Sequence, residues 1–484
     1  MKINTVLRSA LLVSAVHFAP FAVAAAPAGE KAITFEERGG QTVDAFEGSL
    51  MVPENRNKIG SRKIPIKYVR FPATGETPGA PIIYLAGGPG GSGIRTARDR
   101  RFAMFMAMRA HGDVIALDQR GTGASDILPQ CESSHSVPSE EPVSDAEFVS
   151  INQVAFQECM SFWRAEGVEI EGYNTVENAR DLDDLRKHLG AEKVTLWGIS
   201  YGSHLAFAAL KEMGDRIEKV VIASAEGLDQ TVKQPARTDA FFDRLQTAIN
   251  SQPVAMAAFG NIKELMRRVH AKLDAEPIML DVPLRTGGTA PYLFHRRDMQ
   301  QIASAFISDP GRAGGLLSLY LALDAGVTEP VAGLLGRFIV PGEPISFRAM
   351  STAMDVASGM TKAKAGLISA QAKTALLKDY LNFSYHYDGL APELDLGDDF
   401  RAKPVSDVPM LLLSGTLDGR TYVESQLEAV SGMSNVTTIT VENAGHNLYM
   451  LSDEVQLAID SFLRGEPVKK SVITVELPDL SPRR

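Results

Sequence analysis

The sequence predicts an α/β fold: a mostly parallel sheet flanked by helices and interrupted by a large helical cap insertion. Three features predict it. Short apolar runs at Pro81–Leu85, Val114–Leu117 and Val194–Trp197 have the length and β-branched texture of strands buried on both faces. A helical pattern separates the last two, and strand, helix, strand in that order requires crossovers and hence parallel pairing. After a long helical stretch, strand texture returns at Val408–Leu413 and Val436–Val441.

Taken in chain order, residues 1–24 read as an export leader. Lys2 and Arg8 precede the apolar run Ala10–Ala24, which ends in the small-residue cleavage pattern Ala22-Val23-Ala24. His17 and Pro20 interrupt the run, and it falls short of the roughly 20 apolar residues of a membrane span, so a cleaved signal peptide is favoured over an anchor. No later stretch has a span's length, and the expected location is periplasmic or extracellular.

Lys63–Phe71 alternates polar and apolar residues as a half-buried strand does. The pattern predicts a helix over Val176–Leu189, capped by Thr175 and stopped by Gly190, with Leu182, Leu185 and Leu189 on one stripe. A further helix over Ser203–Met213 leads into a strand at Lys219–Ala223. From Asp229 the texture turns helical, at Thr238–Asn250, Asn261–Leu273, Asp298–Ser308 and Thr361–Tyr380; Ile262, Leu265, Met266, Val269 and Leu273 share one face of the second. A last helix covers Asp453–Leu463. The expected organisation is a split core, 45–228 and 405–465, around a helical cap, 229–404, with a C-terminal extension, 466–484.

Composition narrows the function classes. With 45% hydrophobic and 22% charged residues among 484, and two cysteines, the chain is neither disordered nor a disulfide-stapled miniature. A net charge of -10 argues against a nucleic-acid partner, since phosphate binding needs a basic footprint. In an oxidising compartment Cys131 and Cys159 are expected to pair, which would stabilise the fold by about 3 kcal/mol. A thiol nucleophile is the weaker alternative, because neither cysteine lies in a catalytic-looking turn. No HExxH or CxxC occurs, so no metal site is expected.

The strongest chemical signal is Gly198-Ile199-Ser200-Tyr201-Gly202 between a buried strand and a helix. There, two glycines permit the sharp turn that projects a nucleophilic serine hydroxyl from a strand end. A serine needs a base to take its proton and an acid to orient that base. Asp418 follows the strand VPMLLLS and His446 follows VTTITVE, both at the carboxyl edge of the sheet and in the order expected for such an elbow. Asp407 competes for the acid's role but precedes its strand, at the wrong end. The run Gly87-Gly88-Pro89-Gly90-Gly91-Ser92-Gly93 lacks the Lys-Ser/Thr of a phosphate loop and suits an oxyanion hole, with donors from the backbone of Gly88 and Tyr201.

Together GGPGGSG, ALDQRGTGAS at Ala116–Ser125, ARDLDDLRKHLG and WGISYGS resemble the prolyl aminopeptidase and tripeptidyl aminopeptidase family of α/β-hydrolase serine peptidases. The resemblance covers about residues 45–230 and 405–465. It implies a lid-covered site that removes residues from peptide N-termini through an acyl-enzyme, without metal or cofactor, and a structural role for Asp118 and Arg120. Two positions depart from the family pattern: Ala86 stands where many members have His, and Thr421-Tyr422 where Thr-Pro is usual. An aminopeptidase needs an anion for the substrate ammonium. Glu226, just after a core strand, is the candidate, with a salt-bridged loop glutamate as the alternative. The same triad would equally serve a carboxylesterase or lipase, so the expected substrate is a peptide or a small ester.

Overall fold

The computed structural model describes residues 29–482; the expected leader lies outside them. Ten strands form the main sheet: β1 Lys31–Glu36, β2 Thr42–Pro53, β3 Lys63–Phe71, β4 Ile82–Leu85, β5 Val114–Leu117, β6 Val194–Ser200, β7 Ile217–Ala225, β8 Met410–Gly415, β9 Val436–Glu442 and β10 Val472–Thr474. Their spatial order is β1-β2-β3-β5-β4-β6-β7-β8-β9-β10. The first three pairings are antiparallel. The remaining six are parallel.

Period-two alternation explains the continuous apolar runs. Ile83, Leu196, Ile222 and Leu412 face one layer, which includes Phe156, Leu182 and Leu205 from helices. Their neighbours Ile82, Trp197, Val221 and Leu411 face the other, with Phe105 and Ile459. Both faces are covered, so no polar alternation survives in these strands.

The chain leaves β4 for β5 on one side and then crosses to β6 on the other. This reversal opens a crevice at the carboxyl ends of β4 and β6, where open α/β sheets hold their ligands.

Several elements differ from the sequence expectation. Asn174, not Thr175, caps the Thr175–His188 helix: its extended backbone lets the side chain accept from the Glu177 amide, while Thr175 is buried against the Tyr201 hydroxyl at 3.2 Å. The helix expected to reach Tyr380 ends at Ala372. Beyond it the Leu376 amide donates to Asp239 and its carbonyl accepts from Gln300, so side chains of other helices replace the intrahelical bonds. The Asp145–Ala165 helix, capped by Ser144, and the hairpin Ile278–Pro283 with Thr289–Phe294 had no counterpart in the sequence reading. After Gly465 the described chain packs back onto the protein: β10 joins the sheet beside β9, and Leu480 packs among residues of the insertion and bonds Gln252.

The insertion packs in two directions. Residues such as Phe241, Leu265, Met299 and Leu317 form their own cluster. The Ala349–Ser358 helix instead buries Met350, Ala353 and Met354 against the core layer that contains Tyr201 and Leu205. Cys131 and Cys159 form a disulfide that ties a two-residue strand to the Asp145–Ala165 helix. Among the described residues no helix is long and apolar enough to cross a membrane.

Candidate active site

Ser200 ends β6, and Tyr201 opens the next helix without an intervening loop. Ser200 takes φ +56° and ψ -128°, a conformation that costs a non-glycine residue about 1–3 kcal/mol and that surrounding structure must hold in place. Gly202 is part of that hold. A Cβ there would stand 2.1 Å from the Leu85 carbonyl, so only glycine lets the helix start this close to β4. The Tyr201 side chain is buried, with its hydroxyl against Thr175 and the Met354 sulfur at 3.0 Å, which fixes the first turn of the helix. That turn aims free backbone N–H groups at the space beside Ser200.

Asp418 and His446 arrive from the ends of β8 and β9. His446 Nδ1 donates to Asp418 Oδ2 at 2.9 Å, which leaves Nε2 with its lone pair. The histidine loop is held at both main-chain ends: its amide donates to the Ser308 carbonyl, and its carbonyl accepts from Ser224 Oγ at 2.8 Å. Asp418 is fully buried, yet also accepts from Thr421 Oγ1 and from the amides of Arg420 and Thr421 at 2.6–2.9 Å. Burial alone would push its carboxyl up; the His446 charge and these hydrogen bonds outweigh it and hold the group below the ordinary range. Asp407, by contrast, precedes β8, at the opposite edge of the sheet.

Ser200 and His446 line one cavity of about 550 Å³, walled by Gly87, Gly88 and Asn447 and roofed from the insertion by Ser304 and Leu381. Gly88 lines it as expected, with φ +132°. The closest approach belongs to Gly87, where a Cβ would meet the Ile199 carbonyl at 2.8 Å and Ser200 Cβ at 3.1 Å. In a run of near-identical glycines, sequence offers no signal for which one touches the nucleophile. Asp118 braces this loop from below by accepting from Ser92 Oγ and from the amides of Ile94 and Ala124. Arg120 is fully buried in a two-bond pair with Asp181 and lies outside the cavity lining.

Glu226 requires a correction. It does not line the cavity, and its carboxylate is paired with Lys233, itself buried and bonded to the Gln230 carbonyl at 2.7 Å. A buried glutamate near this strand end could exist only with a countercharge, and Lys233, seven residues on, supplies it.

The carboxylate that sequence reasoning missed is Asp355, the one charged residue of the Ala349–Ser358 helix. Its carboxylate makes no hydrogen bond or ion pair among the described residues. Burial, then the Glu226 charge, raises it to about 7. One turn earlier, Ser351 Oγ would stand 3.1 Å from a Cβ on Gly90, which places this helix over the glycine loop. The residue before it, Met354, touches Tyr201, and the field of Asp355 reaches Tyr201 and the cavity-lining Arg420, although Asp355 itself does not line the cavity. A single acid in an otherwise apolar and hydroxylic helix was the available signal.

Against known proteins, a model of the alpha/beta hydrolase fold matches residues 80–259, and one described as TAP-like protein matches residues 397–472. Tripeptidyl aminopeptidase of Streptomyces lividans is 31% identical over 186 residues, covering 37% of this chain and 34% of that protein. Serine protease Hip1 of Mycobacterium tuberculosis (strain ATCC 25618 / H37Rv) is 28% identical over 189 residues, covering 37% and 36%. Putative hydrolase YuaR of Escherichia coli (strain K12) is 26% identical over 190 residues, covering 38% and 36%. The matched segment spans about a third of the length of each of these relatives.

Proposed function

We propose, from the premise that this chain belongs to the TAP-like family of α/β hydrolases, that it is an exported serine aminopeptidase working through an acyl-enzyme. The observation that carries the reading is the 2.9 Å Asp418–His446 pair presented to the same cavity as a serine on a strand-to-helix elbow. Ser200 Oγ attacks the carbonyl carbon as His446 Nε2 takes its proton. Asp418 holds the imidazole in the tautomer this requires and stabilises the imidazolium. The backbone N–H groups of Gly88 and Tyr201 receive the oxyanion; one such donor lowers the barrier by about 3 kcal/mol. His446 then returns its proton to the leaving amine, and water, activated by the same histidine, releases the acyl group.

Asp355 supports the amino-terminal preference. A carboxylate on the helix that covers the glycine loop, without a hydrogen bond or ion pair to the described residues, offers what a substrate ammonium needs, and nothing in the chemistry of a neutral ester calls for it. The name of the Streptomyces relative, tripeptidyl aminopeptidase, points the same way, and that of the Mycobacterium relative, serine protease, agrees with peptide-bond cleavage.

The test compares alanyl, prolyl and tripeptidyl amides carrying free amines with their N-blocked forms and with a short-chain p-nitrophenyl ester, on the wild type and Ser200→Ala. Turnover of free-amine amides, lost in Ser200→Ala, is expected. Equal cleavage of blocked amides would refute the aminopeptidase assignment, and turnover of the ester alone would make the protein a carboxylesterase.

A further inference from the structure

Around the Ser200 cavity, positive charge collects without its usual counterions. Arg100, Arg101 and Arg420 line that cavity. Across the glycine loop, a second cavity of about 670 Å³ is lined by Arg95, Arg98 and Arg348. None of the six forms an ion pair with a carboxylate among the described residues. Arg101 is bonded to the Tyr84 hydroxyl and to Asn447 Oδ1 at 3.1 Å, Arg420 to the carbonyls of Ser304 and Leu381, and Arg98 stacks on Phe35. The one acid lining either cavity is Asp118, whose oxygens are taken by Ser92, Ile94 and Ala124.

In a chain with 59 acidic against 49 basic residues, exposed arginines elsewhere such as Arg164 and Arg268 do find carboxylates. Arg101 carries the argument furthest. It is 3% exposed, and a cation buried with only neutral partners costs several kcal/mol unless something else compensates it. Two tyrosine rings, Tyr84 and Tyr449, lie 5.6 and 5.3 Å from its guanidinium and offset part of that cost; no formal negative charge offsets the rest.

We infer that these arginines bind a carboxylate of the substrate, making the favoured substrates acidic peptides. Direction follows from chemistry. Arg101 reaches the cavity through Asn447, the neighbour of His446, and the histidine faces the leaving group because it must protonate it. The carboxylate therefore belongs to the departing portion of the peptide, as an Asp or Glu side chain or the terminal carboxylate of a short chain. Arg95, Arg98 and Arg348 extend the positive field beyond the first pocket and attract such peptides from solution. This assignment rests on reading Ser200 and His446 as the reacting pair.

Calorimetry on the Ser200→Ala protein tests it without turnover. The probes are Ala-Ala-Ala-Glu-Glu with a free carboxylate and Ala-Ala-Ala-Gln-Gln amide. The acidic peptide is expected to bind at least tenfold more tightly at low ionic strength, with the gap narrowing in 0.5 M NaCl because the outer charges are screened. Adding Arg100→Gln, an exposed position, or Arg101→Gln is expected to shrink the ratio to threefold or less, and Arg101→Lys to restore part of it. Equal binding of the two peptides, or a ratio unmoved by both glutamine substitutions, would overturn the inference. Failure of the wild type to cleave any free-amine amide would refute the aminopeptidase reading alone, because the binding ratio is measured separately.

Discussion

Asp418 and Asp355 differ in what surrounds their carboxylates. Asp418, in the turn after β8, is fully buried, whereas Asp355, on the insertion's Ala349–Ser358 helix, is half-buried. The Asp418 carboxylate receives four hydrogen bonds, including one from His446; that of Asp355 receives none among the described residues. The first is held below the ordinary carboxylate range and the second is raised to about 7. Burial acts in the same direction on both, so neighbouring charge and donors decide the sign: His446 and the hydrogen bonds lower Asp418, while the Glu226 charge raises Asp355 further. The core's acid is satisfied within the protein, and in the proposed mechanism it orients a base. The insertion's acid is left unsatisfied and can respond to a ligand.

The largest expected effect comes from the satisfied side. Asp418→Asn keeps the size of the side chain but removes the charge and presents an amide that favours the wrong imidazole tautomer, so kcat is expected to fall by about 10⁴-fold. Steady-state kinetics across pH check this; a fall below tenfold would remove Asp418 from the triad.

Next comes Glu226→Gln. It removes one member of a buried ion pair and strands the Lys233 ammonium, at an expected cost of about 3–5 kcal/mol. Denaturant unfolding reads the cost, and kinetics separate it from function. A change in the Michaelis constant for free amines with stability intact would restore Glu226 to substrate binding and break the contrast drawn here.

Asp355→Asn probes the unsatisfied acid in two ways. Its folded value lies above its unfolded one, so the folded state holds the proton more tightly. The stability this contributes is fully present below the unfolded value and is lost as pH rises through about 7. Asparagine does not titrate. The variant is therefore expected to match the wild type in acid and to exceed it at pH 8 by about 2–4 kcal/mol. Asp418 has the opposite sign, with stability present above its unfolded value and lost on acidification. In turnover, the wild-type Michaelis constant for free-amine substrates should fall as pH rises through 7, when Asp355 ionises despite the nearby Glu226 charge and with help from Lys233 and Arg420. In the variant it should be higher and flat. Equal pH profiles would exclude Asp355 as the ammonium's partner.

The same contrast separates what sequence could and could not say. Ser200, His446 and Asp418 each sit directly after an apolar strand, and a strand end is fixed by local pattern, so their approach to one edge of the sheet was legible. The order of β4, β5 and β6 then brings the glycine loop and the elbow side by side. Asp355 reaches the same place through a helix some 150 residues beyond the elbow, packed by Met350, Ala353 and Met354, and nothing in local pattern specifies that long-range contact. Glu226 takes the second of its two expected settings, the salt-bridged glutamate, for a related reason. Its position after β7 was right, but its countercharge on Lys233 depends on how the following loop folds back. The first two strands, β1 and β2, and the 21-residue helix carrying Cys159 were passed over although alternation and the Ser144 cap marked them.

The smallest expected effect refines the comparison rather than breaking it. Thr421→Val removes one of the four donors to Asp418, the 2.6 Å bond from Thr421 Oγ1, and leaves the His446 bond and both backbone amides. A hydrogen bond to a charged group contributes about 1.5–3 kcal/mol, and the remaining three donors share the charge, so the loss should lie near the lower end. Because Thr421 Oγ1 bonds the same oxygen that His446 uses, the expected signature is an upward shift of the acid limb of the kcat profile with a modest fall in the plateau. A stability loss with no movement of that limb would mean that Thr421 merely packs the turn. A movement of the limb shows instead that the supply of donors takes part in separating the two carboxylates.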